Sequence, residues 1–118
     1  MLPSHLNIEN ETLKNTDYRR VIYTVPKNMQ LVLMSIPKGK DIPSEIHPHT
    51  TQFIRIEKGL GIATIDGKEY GLGDGIELII PPGFKHRIQN VGKTPLKLYT
   101  IYTPPEHRAG LVQQSPLK

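Results

Sequence analysis

The sequence predicts an all-β domain, an antiparallel barrel or sandwich of short strands, on three observations. Isoleucine, valine and threonine number 14, 5 and 9 against two alanines, so residues that suit a pleated strand far outnumber the best helix former. Ten glycines and 11 prolines supply the turn chemistry of many tight connections. Short β-rich runs recur roughly every eight to twelve residues, with no helical periodicity between them.

Taken in order, residues 1–17 are polar and weakly periodic. They read as a short irregular arm with a helical turn around Asn10 to Asn15. Strands are expected at Val21 to Val25 and Gln30 to Ile36, each stopped by a proline, Pro26 and Pro37. Further runs follow at Glu45 to His47, Phe53 to Glu57, Gly61 to Ile65, Glu69 to Tyr70, Ile76 to Ile80, His86 to Asn90 and Leu96 to Tyr102. The clearest hairpin turns at Asp66-Gly67, a pair that supplies the positive φ values of a two-residue primed turn. Arg55 and Glu57 alternate with Ile54 and Ile56, which gives that strand one apolar and one charged face. Pro104 and Pro105 end the last strand. The expected organisation is therefore an arm over 1–17, a single β domain over 18–105 and an extension over 106–118.

Composition narrows the function classes. The chain has 118 residues, carries 15 Lys and Arg against 11 Asp and Glu, and has a net charge of +4. Its cations are scattered singly, Arg19 and Arg20 being the only adjacent pair, and no nucleic-acid motif accompanies them, so they read as solvated surface. Cysteine is absent, which excludes a disulfide framework, a thiolate metal site and a cysteine nucleophile, and favours a cytoplasmic setting. No leader-like start and no 18-residue apolar stretch are present, so no membrane partner is expected. With 36% hydrophobic residues and no Trp, the core must be small, and a homodimer is expected on that ground.

Four polar residues stand out near strand ends: Glu45, His47, Gln52 and His86. Glu45 and His47 lie two apart, so an extended strand would project both from one face. A short turn through Pro48 and His49 would then set Gln52 opposite them on the same sheet. Each residue also has a plainer reading. His47 and His86 read alternatively as surface or packed residues, Glu45 as a solvated strand residue and Gln52 as a hydrogen-bonding partner for barrel backbone, while His49 reads as a surface residue, a spare ligand, or an acid or base at the mouth.

The spacing resembles the cupin superfamily. Its second motif, Gly-x5-Pro-x-Gly-x2-His-x3-Asn, is met at every fixed position by Gly75, Pro81, Gly83, His86 and Asn90. Its first motif, Gly-x5-His-x-His-x3–4-Glu-x6-Gly, is met in spacing by Gly39, Glu45, His47, Gln52 and Gly59. In that register glutamate replaces the first histidine and glutamine the glutamate. Pairing His47 with His49 instead breaks both flanking intervals.

The resemblance covers about residues 30 to 105 and implies a jelly-roll barrel of six to eight or more strands with a site in one mouth. It implies Glu45, His47, Gln52 and His86 as ligands of one divalent ion, Fe, Mn, Ni or Zn. One carboxylate is kept, so the charge of the usual set is retained. The glycines at 39, 59, 75 and 83 and Pro81 are turn formers. Tyr99, Tyr102 and His107 resemble residues that line or lid such pockets, the tyrosines reading otherwise as packing residues with their hydroxyls at the rim. The resemblance is strongest to small proteins of the mannose-6-phosphate isomerase-like type. That implies metal-assisted isomerisation of a small polar, sugar-like substrate, with His49 or a metal-bound water moving the proton. An iron(II)-dependent oxygenase and a non-catalytic small-molecule binding module are the alternatives, because the barrel is shared by many activities.

Overall fold

The computed structural model describes residues 1–116. Ten strands follow one helix: α1 (Ile8–Lys14), β1 (Arg19–Val25), β2 (Met29–Ile36), β3 (Asp41–Glu45), β4 (Thr51–Lys58), β5 (Gly61–Ile65), β6 (Lys68–Leu72), β7 (Glu77–Ile80), β8 (His86–Asn90), β9 (Leu96–Thr103) and β10 (Val112–Gln113). They form a six-stranded sheet in the order β10-β1-β2-β9-β4-β7 and a four-stranded sheet in the order β3-β8-β5-β6. All strand pairs are antiparallel. Two such sheets with interleaved connections make the expected jelly roll.

The alternation along each strand decides what faces the lumen. In β9, Leu96, Leu98, Thr100 and Tyr102 are buried, and in β4 Gln52, Ile54 and Ile56 are buried. The partner register stacks them into rows, Met34 beside Leu98 beside Ile56, then Gln30 beside Tyr102 beside Gln52. One end of the large sheet's inner face is thus aliphatic and the other polar. On the small sheet, Ile42, Ile88 and Ala63 form an apolar row, with Glu45, His86 and Ile65 in line at one end. On the outer face of β4, Arg55 Nε lies 3.7 Å from Glu57 Oε1, as the charged half of that strand suggests.

Local chemistry accounts for the departures from the sequence expectations. Strand β3 runs Asp41–Glu45 rather than Glu45 to His47. Pro43 is tolerated because β3 is an edge strand, with a register shift between Ile42 and Glu45. His47 lies beyond the end of β3, and Pro48 keeps it out of helical backbone. The Asp66-Gly67 turn has φ of +46° and +82° and aligns Ile65 with Lys68, as a primed turn does.

The helical turn in the arm starts earlier than expected, because Asn7 Oδ1 caps it by accepting from Asn10 N–H at 2.9 Å. The helix is not loose. Thr12 and Asn15 are buried, α1 packs on β9, β4 and β2, and Lys97 Nζ donates to the Asn15 carbonyl. The extension likewise gains structure, as β10 pairs with β1 at Arg19–Gln113 and Arg20–Val112.

At the end of the barrel remote from His86, Asn90 ties β8 to the end of β2 and to the β8–β9 connection. Its Nδ2 donates to the Ile36 and Thr94 carbonyls, each at 2.9 Å, and its Oδ1 accepts from Gly92 N–H at 2.9 Å. Replacing Asn90 with Ala leaves these largely buried groups unpaired. Urea denaturation is expected to show a loss of about 3 kcal/mol, and a loss within error of zero would show that the amide carries no structural load.

Candidate metal centre

Glu45 closes β3 and lies directly opposite His86 in β8. His47 follows in the connection to β4, where its carbonyl accepts from Gly83 N–H at 2.9 Å. Gly83 has φ of +87°, a conformation that costs a side-chain-bearing residue and lets the turn ahead of β8 close against His47. Through this contact the three side chains meet although they come from a strand end, a loop and a second strand. One ligand atom from each of Glu45, His47 and His86 lies within 4.8 Å of the others, so these residues form a group able to hold a metal ion.

The donor chemistry fits. His86 Nδ1 lies 3.1 Å from the Phe84 carbonyl, an acceptor only, so Nδ1 carries the proton and Nε2 keeps its lone pair. That Nε2 is buried without a hydrogen-bond partner and lies 3.4 Å from Glu45 Oε1. His47 Nε2 lies 3.2 Å from the same carboxylate oxygen, and its Nδ1 lies 3.4 Å from Glu106 Oε2. An imidazole offering Nε2 to the site while an outer carboxylate faces Nδ1 is the arrangement that orients metal-binding histidines.

Burial alone would raise the Glu45 pKa. The His47 and His86 rings outweigh it and hold the carboxyl well below its ordinary value. His47 is pushed up, chiefly by its bond to Glu45 against the opposing effect of burial, with the Glu106 charge adding to the rise.

Gln52 does not lie on the same sheet as Glu45. The chain crosses between sheets after Pro48, and Gln52 sits on β4 of the large sheet, paired with Tyr102 and Ile80. Its Nε2 donates to Thr100 Oγ1 at 3.0 Å, which leaves Oε1 buried without a partner. His49 is exposed in the β3–β4 connection and is not part of the clustered group. Tyr102 is buried edge-on to His47, with ring centroids 5.7 Å apart, and to His107 at 5.1 Å. Burial pushes the Tyr102 hydroxyl pKa up and, with the Arg19 charge, pushes His107 down to about 4. Tyr99 instead packs against Phe53, with centroids 6.2 Å apart.

Glu106 escaped the sequence reading because it lies beyond the last long strand. Gln30 brings it in: its Oε1 accepts from the Glu106 and His107 amides, and its Nε2 donates to the His107 carbonyl at 2.6 Å. A buried glutamine in a β-rich run was the available signal.

Metal titration is expected to rank the variants. Replacing His86 with Ala should cost more than about 100-fold in divalent-ion affinity and Glu106 with Gln about tenfold, whereas His49 to Ala should change it by less than about threefold. Equal losses at His86 and His49 would reject the assignment.

The comparisons agree with this geometry. A family model described as the cupin domain matches residues 32–102. The chain is 50% identical over 110 residues to the uncharacterized protein L612 of Acanthamoeba polyphaga mimivirus, covering 89% of this chain and 68% of that protein. It is 40% identical over 119 residues to the uncharacterized protein YrkC of Bacillus subtilis, covering 96% and 63%, so the chain spans about two thirds of the length of these relatives. The crystal structure of BH2720 from Bacillus halodurans superposes with a TM-score of 0.94 at 40% identity, over 97% of this chain and 90% of that one. With the motif spacing, the two-sheet barrel and the clustered donors all in agreement, this chain belongs to the cupin family.

Proposed function

We propose that this cupin binds one divalent ion, Fe, Mn, Ni or Zn, through Glu45, His47 and His86, with the Gln52 amide oxygen as a fourth donor. On this reading it isomerises a small polar, sugar-like molecule. The observation that carries the proposal is the convergence of one carboxylate and two imidazole donors within 4.8 Å, with His86 Nε2 buried and unpartnered; Gln52 Oε1, on the large sheet, is likewise buried and unpartnered. Buried lone pairs without donors are disfavoured unless something else satisfies them. A bound divalent ion supplies Lewis acidity to a substrate carbonyl.

The chain's own groups do the rest. The Phe84 carbonyl and Glu106 hold the two imidazoles in their orientation. Buried Tyr102 walls off the lumen side of His47. The exposed imidazole of His49 is the group we assign to carry a proton between neighbouring substrate carbons. The donor count favours a second reading, an iron(II) oxygenase, since two histidines and one carboxylate are the usual face of such sites.

Anaerobic loading with iron(II), followed by oxygen and candidate substrates, separates the two readings. Aldose–ketose exchange supported by manganese or zinc without oxygen uptake is expected, and substrate-dependent oxygen uptake would replace the isomerase with the oxygenase. Replacing Gln52 with Glu adds a second carboxylate and is expected to tighten manganese binding by about tenfold or more. Weaker binding would remove Gln52 from the ligand set.

A further inference from the structure

One arginine is placed unlike the others, which are exposed. Arg19 opens β1 opposite buried Met34 of β2, so its side chain starts from the inner face of the large sheet, and it is half-buried rather than solvated. Its Nη1 donates to Gln113 Oε1 at 2.7 Å, and the guanidinium lies 5.3 Å from the centroid of the Tyr18 ring. Its Nε is buried with no hydrogen-bond partner.

Among the described residues no carboxylate forms an ion pair with it. Asp41 pairs with Arg87 at 2.8 Å, and Glu45 and Glu106 pair with the histidines. Arg19 lines a cleft of about 690 Å³ between the β1–β10 edge of the large sheet and β3 of the small one, together with Tyr18, Lys40, Asp41, Glu45 and Gln113. Glu45 therefore belongs to both the cleft and the donor cluster. With Asp41 neutralised by Arg87, the cleft keeps two cations, Arg19 and Lys40, next to a carboxylate engaged by the two imidazoles.

We propose that this cleft is an anion-binding subsite. Arg19 holds the oxyanion of a small substrate, a carboxylate or phosphate group, while another part of the same molecule reaches the Glu45–His47–His86 cluster. The guanidinium is planar and its donors match such oxyanions, which a lone ammonium does not reproduce. The Gln113 bond and the Tyr18 ring hold it in place, and the volume suits a molecule of a few to about twenty heavy atoms. The inference rests on the metal-centre reading only for what lies at the far end of the ligand.

The test titrates malonate and, separately, inorganic phosphate into the full chain, followed by amide chemical shifts and calorimetry, with and without manganese. The wild type is expected to bind at least one of them, with shifts at Arg19, Tyr18 and Gln113, and the tighter anion identifies the oxyanion class. Replacing Arg19 with Met should weaken binding about tenfold or more, and Arg19 to Lys should give an intermediate loss. Manganese affinity should stay within about threefold in both variants, since Arg19 is not a ligand.

Retained anion affinity in folded Arg19→Met, or no binding of either anion to the wild type, would overturn the subsite. Because Arg19→Lys keeps the charge, it serves as the folded control should Arg19→Met unfold, and undiminished binding in it would overturn the need for a planar fork. Failure of manganese to bind, with Arg19-dependent anion binding intact, would reject the metal centre and leave the subsite standing.

Discussion

The mouth of this barrel is organised around one ionised carboxylate. Glu45 is drawn partly out of water, which disfavours its charged form, and it stays ionised because the rings of His47 and His86 face it. Each ring is oriented in turn from behind, His86 by the Phe84 carbonyl and His47 by Glu106. Glu106 depends on Gln30, which grips the backbone at Glu106 and His107. A chain of polar contacts thus runs from the carboxylate through a histidine to the segment after the last long strand, and the loss of any link leaves a buried group unpaired.

The barrel divides its labour along its axis. His86 and Asn90 share the inner face of β8, four residues apart, with Ile88 between them. At one end the histidine offers a nitrogen to the site, and at the other the asparagine satisfies backbone at the end of β2 and in the β8–β9 connection. The family motif joins these two positions because an even spacing on one strand keeps both side chains on the same face. Between them lie aliphatic rows from both sheets, which exclude water and set the sheet spacing on which the ligand geometry depends.

Net charge is a poor guide to partners here, and the position of individual charges is a better one. An excess of four cations suggests a basic surface, yet Arg87 is spent on Asp41 and Arg55 on Glu57. Arg19 differs because β10 and Tyr18 enclose it, which makes its unsatisfied donor a property of the interior rather than of the solvent boundary.

Much of this could be read before any coordinates. The all-β class followed from β-branched residues and turn formers, the tight hairpin from Asp66-Gly67, and His86 and Asn90 from a motif whose fixed positions are local in the chain. Glu45 and His47 were legible as a pair from their spacing, but for an imperfect reason. They meet through a strand end and a loop tied to Gly83, not through one extended strand.

Local sequence carries strand alternation and turn geometry because both are decided by neighbours within a few residues. It does not carry which sheet Gln52 joins, why Arg19 turns inward while Arg20 stays outside, or how Glu106 comes to face His47. Those depend on sheet crossovers and on contacts between residues tens of positions apart. Burial and the compensation of charge are settled only when the whole barrel closes.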